Sequence, residues 1–197
     1  MTYLLDKPKD QRSIHKGITW DHFKLIEEGF SDSPGVKLFY YKGDLEILAV
    51  SPEHEAFSGI IGMLIENFFL ELEVEFEITG AMTQAKEGEA SAQADESYCI
   101  GGSKSIPDLS IEVIFTSGSI QKLTRYQALQ VPEVWFWEDG LFTFHHLREN
   151  GYERIFQSEL PYLKGLDLGL LTQCVLAGQT SKVKAVKMLR QGIKRQD

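Results

Sequence analysis

The sequence predicts an α+β domain in which helices cover the faces of a mixed β-sheet. Three observations predict it. Strand-like runs rich in β-branched and aromatic residues are interspersed with segments of helical period; a Gly-containing turn joins the first two strand-like runs; and the apolar run Ser110-Ile111-Glu112-Val113-Ile114-Phe115 is followed by a helix and further strands. A chain of 197 residues with 43% hydrophobic and 25% charged content can bury one substantial core, so a single domain over residues 1–180 is expected, with 181–197 as a basic carboxy-terminal helix or tail.

Residues 20–28 open as a short helix. The runs 36–41 and 46–50 flank Lys42-Gly43-Asp44, and a Gly in so short a connection is a hairpin signal. Ser51 then offers an N-cap oxygen, Pro52 fits the first helical position, and Glu53 suits the positive end of the helix dipole. The helix that starts there is the clearest element of the chain. Phe57, Ile60, Ile61, Leu64, Ile65, Phe68, Phe69 and Leu72 recur at the i, i+3, i+4, i+7 spacing, and such a stripe must lie on a sheet. Strands follow at 74–79 and 95–100, then the loop 101–105, a strand at 108–115, a helix at 119–130, and strands at 133–138, 141–147 and 152–156. Trp135 and Trp137 alternate along one strand and read as core aromatics.

Charge and cysteine content narrow the functional classes. The net charge of −9 opposes a uniformly basic, sequence-indifferent nucleic-acid binder, yet the charge is uneven: Lys182, Lys184, Lys187, Arg190, Lys194 and Arg195 stand in the tail against Asp197 alone. That tail reads either as a solvated helix face or as a phosphate-contact surface. Cys99 and Cys174 have no CxxC or matched His spacing, so buried thiols are expected rather than disulfides or zinc ligands. No segment reaches the roughly 20 apolar residues of a membrane span, and the amino terminus lacks the apolar region of a signal peptide, so a cytoplasmic protein without a membrane partner is expected. Other apparent motifs fail on spacing. His54-Glu55 lacks the second His of a zincin, 101–105 is not a P-loop, and His145 and His146 point to opposite faces of a strand.

Glu112 is the residue that needs a reason, because burying an unpaired carboxylate costs several kcal/mol. One reading is a structural ion pair at a sheet margin; the other joins Glu112 to Asp95 and Lys122, whose types and order suit metal-assisted phosphodiester hydrolysis. Asp108 shares a strand face with Glu112 but lies about 13 Å away at ~3.3 Å per residue, too far to share one cation, and is expected to fix the preceding loop. Asp95, 17 residues upstream, has room to return on a neighbouring strand, and Lys122 on the next helix can reach back over the strand end.

At these residues the chain resembles a known family. Asp95-Glu96-Ser97-Tyr98-Cys99-Ile100, Pro107-Asp108-Leu109-Ser110-Ile111-Glu112-Val113, Lys122-Leu123-Thr124-Arg125-Tyr126 and Val131-Pro132-Glu133-Val134-Trp135 are similar in order and spacing to the Uma-two family. That is a large bacterial group of restriction-endonuclease-like proteins in the PD-(D/E)XK superfamily. Gly43-Asp44-Leu45-Glu46 and Ser51-Pro52-Glu53-His54-Glu55 resemble the family's hairpin and first helix start, so the resemblance spans roughly residues 15–175. It implies a restriction-endonuclease-like fold and Mg²⁺-dependent (or Mn²⁺-dependent) cleavage of DNA. Asp95, Glu112 and the Val113 backbone carbonyl would be metal ligands, and Lys122 would orient or activate the attacking water. The Lys that often follows the Glu by two residues is Ile114 here, so Lys122 is its migrated equivalent; Ala94 stands where the superfamily name has Pro. His54, Glu55 and Glu46 are auxiliary candidates, homodimerisation is an open option, and the alternative is a non-catalytic module binding nucleic acid or protein on the same fold.

Overall fold

The computed structural model describes residues 9–80, 83–115 and 119–193; Lys194, Arg195 and Asp197 of the basic tail, and residues 1–8 at the amino terminus, lie outside the described residues. In chain order the elements are β1 (Gln11–His15), α1 (Trp20–Gly29), β2 (Val36–Tyr41), β3 (Asp44–Ala49), α2 (Pro52–Glu71), β4 (Phe76–Ile78), β5 (Gln84–Lys86), β6 (Ala90–Ala92), β7 (Glu96–Ile100), β8 (Leu109–Ile114), α3 (Ser119–Leu129), β9 (Glu133–Glu138), β10 (Leu141–Arg148), β11 (Gly151–Ile155), α4 (Leu168–Gly178) and α5 (Lys182–Ile193). A 3₁₀ turn, Pro161–Leu163, precedes α4.

The strands form two sheets: a five-stranded one in the order β1-β3-β2-β6-β5, and a six-stranded one in the order β11-β10-β9-β8-β7-β4. The β2–β3 hairpin turns on Lys42 and Gly43, both at positive φ (47° and 94°), the geometry that matches strand twist in a two-residue loop. Among the described residues all strand pairs are antiparallel except β8–β9, which run parallel with Glu112 opposite Phe136 and are joined by α3, as a parallel pair requires a crossover. The expected mixed sheet flanked by helices is present, and a second sheet accompanies it because β1, β5 and β6 complete the hairpin into a layer of its own. β1, β5 and β6 escape a periodicity reading, the latter two being only three residues each, Gln84–Lys86 and Ala90–Ala92.

Side-chain alternation decides what each layer buries. Leu109, Ile111 and Val113 of β8 pack with the α2 stripe, with Trp135 and Trp137, and with residues of α4 and α5 in the largest core. Ile114 faces the other way, toward Tyr126 and Leu129 of α3 and toward Phe39 of β2. α1 covers the remaining face of the five-stranded sheet, where Phe23 meets Leu38, Tyr40 and Leu45. Both tryptophans are fully buried, and Trp135 stacks on Phe144 at 3.9 Å. α2 begins as its sequence dictates: Ser51 Oγ accepts from the His54 amide at 3.2 Å, with Pro52 in the first turn. α5 is anchored by Ala185, Leu189 and Ile193 in the main core, which leaves Lys182, Lys184 and Lys187 exposed. Each fully buried Leu, Ile or Phe of these stripes contributes about 1.5–3 kcal/mol, enough to hold helices whose intrinsic propensity is modest.

Helix α4 packs so closely on α2 that a Cβ at Gly178 would lie 2.6 Å from Ile60 Cγ2. Gly178→Ala should therefore cost about 1–3 kcal/mol by overpacking, read as a lower denaturant midpoint at unchanged slope in equilibrium unfolding.

Candidate active site

The site grows from a fork in the six-stranded sheet. β7 pairs with β8 from Tyr98 opposite Leu109 up to Glu96 opposite Ile111, and no further. Beyond that point a buried amide on β8, that of Val113, needs an acceptor. Asp95, the residue before β7, supplies it: its amide donates to Ile111 O at 3.1 Å, and its Oδ2 accepts from the Val113 N–H at 2.6 Å. A carboxylate thus replaces a strand carbonyl, placing Asp95 beside the Glu112 segment. Glu112 sits at the centre of an interior strand, flanked by β7 and β9, so the expectation of a sheet-margin position fails: β10 and β11 lie beyond β9.

Both carboxylates are almost fully buried, Asp95 with a side chain 1% exposed and Glu112 likewise 1%. Each is matched by donors. Lys122 Nζ lies 2.6 Å from Glu112 Oε2, and the Tyr126 hydroxyl donates to Oε1. Residues 122 and 126 are one helical turn apart, so α3 aims both at the same carboxylate. On Asp95, Oδ1 receives the Lys37 ammonium and stands 2.9 Å from His54 Nε2. That nitrogen is buried and lies outside hydrogen-bond alignment. His54 is held from its other side by Asp10 Oδ2 at 2.7 Å, and Asp10 Oδ1 accepts from the Ser51 amide at 2.7 Å, tying the imidazole to the start of α2.

The charges reinforce one another. Burial alone would raise the Asp95 pKa, but the Lys37 charge, the His54 imidazole and the Lys122 charge hold it well below the usual carboxylate range. Burial would lower Lys37, yet Asp95 beside it, with Glu112 and Glu55, pushes it up. His54 is raised in the same way, its burial outweighed by Asp95 and Asp10.

The sequence-derived candidates separate clearly. Asp95, Glu112, Lys122 and His54 are linked in one buried cluster, directly or through Val113. The observed tie of Val113 to the cluster is its N–H, donated to Asp95. Glu55 is exposed in the first turn of α2, where its charge acts on Lys37. Glu46 is bound by Arg12 Nε at 2.9 Å and Arg125 Nη1 at 3.1 Å; burial would raise its pKa, but Arg125 foremost, with Arg12 and the Lys122 charge, brings it down. Asp108 fixes its loop, accepting from the Ile100 amide at 2.7 Å and from Lys104. Three members were missed. Lys37, a cation in an apolar strand, carries the same signal as Glu112; Tyr126 stands in the sequence only within a segment that carries the family resemblance; Asp10 gives no signal outside the folded chain.

Hard carboxylate oxygens on Asp95 and Glu112 suit Mg²⁺, which is held by one or two carboxylates and keeps several waters. Among the described residues no group of three or more His, Cys, Asp or Glu is gathered in metal-holding geometry, so any such ion relies on those two carboxylates, backbone oxygen and water. A cleft of about 390 Å³ lined by Lys37, Glu55, Asp95 and Glu96 reaches the cluster from the side of α2.

A sequence family described as "Uma2: Putative restriction endonuclease" matches residues 20–174. A crystal structure titled as that of "a putative nuclease belonging to DUF820" from Anabaena variabilis is similar in fold, with a TM-score of 0.51 at 14% identity over 87% of this chain and 99% of the other. No curated protein shows significant similarity to the chain. No helix among the described residues is long and apolar enough to cross a membrane.

Two outcomes are expected at the fork. Tyr126→Phe leaves Glu112 Oε1 buried without its hydroxyl donor and should cost about 1–3 kcal/mol in chemical unfolding. Glu96, next to Asp95, has its carboxyl pushed up to about 7 by burial, against the Ser58 hydroxyl and with Glu66 and Asp95 adding to the rise. The folded state then holds a proton that the unfolded state releases near 4.5, so stability should fall as pH rises from about 4.5 to 7. Glu96→Gln should flatten that segment of the pH–stability curve measured by thermal melts.

Proposed function

The chain belongs to the Uma2 family, and from that membership and the fork geometry we propose that it is a metal-dependent endonuclease hydrolysing DNA phosphodiester bonds, with Asp95, Glu112 and Lys122 as its catalytic residues. The single observation that supports this most is the buried linkage of an acidic pair to a lysine: Asp95 on the Val113 amide, and Lys122 on Glu112 at 2.6 Å. A nucleic-acid substrate follows from the family; DNA rather than RNA, and Mg²⁺ (or Mn²⁺) rather than no metal, are this reading's own additions.

In this reading Asp95, Glu112 and the Val113 carbonyl would hold the ion, which would supply polarisation of a phosphoryl oxygen and a lowered pKa of water. The chain's own groups do the rest. The Val113 amide and the His54–Asp10 pair fix the orientation of Asp95, so its carboxylate has no rotamer to lose on binding. Lys122 aims an ammonium at the charge that develops on phosphate oxygens as a water oxygen attacks phosphorus and the bond to the leaving sugar oxygen breaks. Burial strengthens that interaction, because little water competes for either charge. His54 keeps its place against Asp95 and is a positioning residue.

A second reading, a non-catalytic nucleic-acid- or protein-binding module, is favoured by one observation: the oxygens of both carboxylates are already paired by Lys37, the Val113 amide, Lys122 and Tyr126. Two variants decide. On the catalytic reading, Glu112→Gln abolishes Mn²⁺ binding by calorimetry and cleavage of plasmid DNA, while Lys122→Ala loses cleavage and retains Mn²⁺ binding. Absence of cleavage by the parent, with about 3–5 kcal/mol of destabilisation in both variants, is the result expected of a structural ion pair.

A further inference from the structure

A second polar feature lies between α3 and the strands β1, β2 and β3. A groove of about 340 Å³ is lined by Arg12, Lys16, Tyr41 and Arg125 together with the carboxylates of Asp44 and Glu46. Its cations outnumber its anions by one, in a protein whose net charge is −9. Glu46 is taken up by Arg12 and Arg125, and Lys16 is exposed with no ion pair among the described residues. Arg125 is the unusual member. It is 5% exposed, its guanidinium lies 4.3 Å above the Phe39 ring, and its Nε is buried without a hydrogen-bond partner among the described residues. A buried guanidinium N–H left unmatched is costly, and its fork geometry suits a phosphate.

The groove adjoins the catalytic cluster through one strand. Lys37, Phe39 and Tyr41 share the face of β2 turned toward α3, so Lys37 touches Asp95, Phe39 underlies both Lys122 (5.3 Å) and Arg125, and Tyr41 enters the groove. On α3, Lys122 and Arg125 are neighbours at i, i+3. Arg125 and Tyr41 line the groove with Lys16, while Lys122, on the same helix, holds Glu112 in the buried cluster.

We propose that this groove is a phosphate subsite that binds the nucleic-acid strand flanking the scissile bond, with Arg125 and Lys16 as the phosphate contacts. The proposal rests on the nuclease reading and adds to it where the strand runs. The ligand chemistry is a phosphodiester; inorganic phosphate shares its oxygens but lacks neighbouring nucleotides.

The test is fluorescence anisotropy of a labelled single-stranded oligonucleotide across a salt series, in chelator so that no cleavage intervenes. Lys16→Gln should weaken binding and reduce the log–log salt slope by about 0.7, the value for one contact to a single strand. Arg125→Lys keeps the charge that Glu46 needs but loses the stacked fork, so it is compared with the parent at a temperature where melts show both folded, and it should weaken oligonucleotide binding there. Lys86→Gln, whose ammonium is held by Glu89 at 2.5 Å, serves as the control and should leave the slope unchanged. Parent cleavage in Mg²⁺ is measured alongside. A parent that cleaves, with unchanged affinity and slope in Lys16→Gln and Arg125→Lys, overturns the groove alone; a slope loss in Lys86→Gln as large as in Lys16→Gln does the same. A parent that neither cleaves nor binds overturns the nuclease reading and the groove with it. Calorimetric binding of inorganic phosphate without binding of the oligonucleotide overturns the strand assignment.

Discussion

The bond from the Val113 amide to the Asp95 carboxylate is the constraint on which the rest of the site depends. Where β7 leaves β8, the sheet owes β8 an acceptor, and a buried amide without one would cost about 1–3 kcal/mol. An ordinary loop would bring water or a backbone carbonyl. Here a carboxylate does the work, so a negative charge enters the interior at the same level as Glu112. The polar contacts nearby answer the two charges: Lys37 from the second sheet and His54 from the start of α2 meet Asp95, and Lys122 with Tyr126 from α3 meets Glu112. Three different elements are thereby fixed to one fork.

That arrangement explains why two sheets are needed. A buried carboxylate pair has to be compensated from above the sheet, because its own strands carry apolar neighbours on the face turned to α2. β2 reaches across with Lys37, and Phe39 beside it gives Lys122 and Arg125 an aromatic face to lie on while their stems pack with the second core. Compensation of this kind holds positions rather than adding much stability, since the desolvation of each ion offsets most of the attraction between them. A site whose charged groups are already oriented loses little entropy when a phosphate or an ion arrives, as the proposed phosphoryl-transfer function requires.

The sequence by itself determined the elements with strong period and the residues that violate it. The α2 stripe, the Lys42-Gly43 hairpin, the β8 run and the burial of Trp135 and Trp137 follow from spacing, turn chemistry and hydrophobicity, all local properties. Glu112 declared itself because one charge in an apolar run is anomalous, and the order of Asp95, Glu112 and Lys122 carried the family resemblance. What only the tertiary structure decided is pairing over long separation. That Asp95 stops short of β7 and takes the Val113 amide, that Lys37 and Asp10 serve Asp95 and His54, and that Glu46 belongs to Arg12 and Arg125 depend on which strands lie side by side. Each of these contacts joins residues 18 to 79 positions apart or crosses between the two sheets. No local propensity encodes such a meeting; it is set by how α2 and α3 bury their apolar faces, and the charges settle where that packing leaves them.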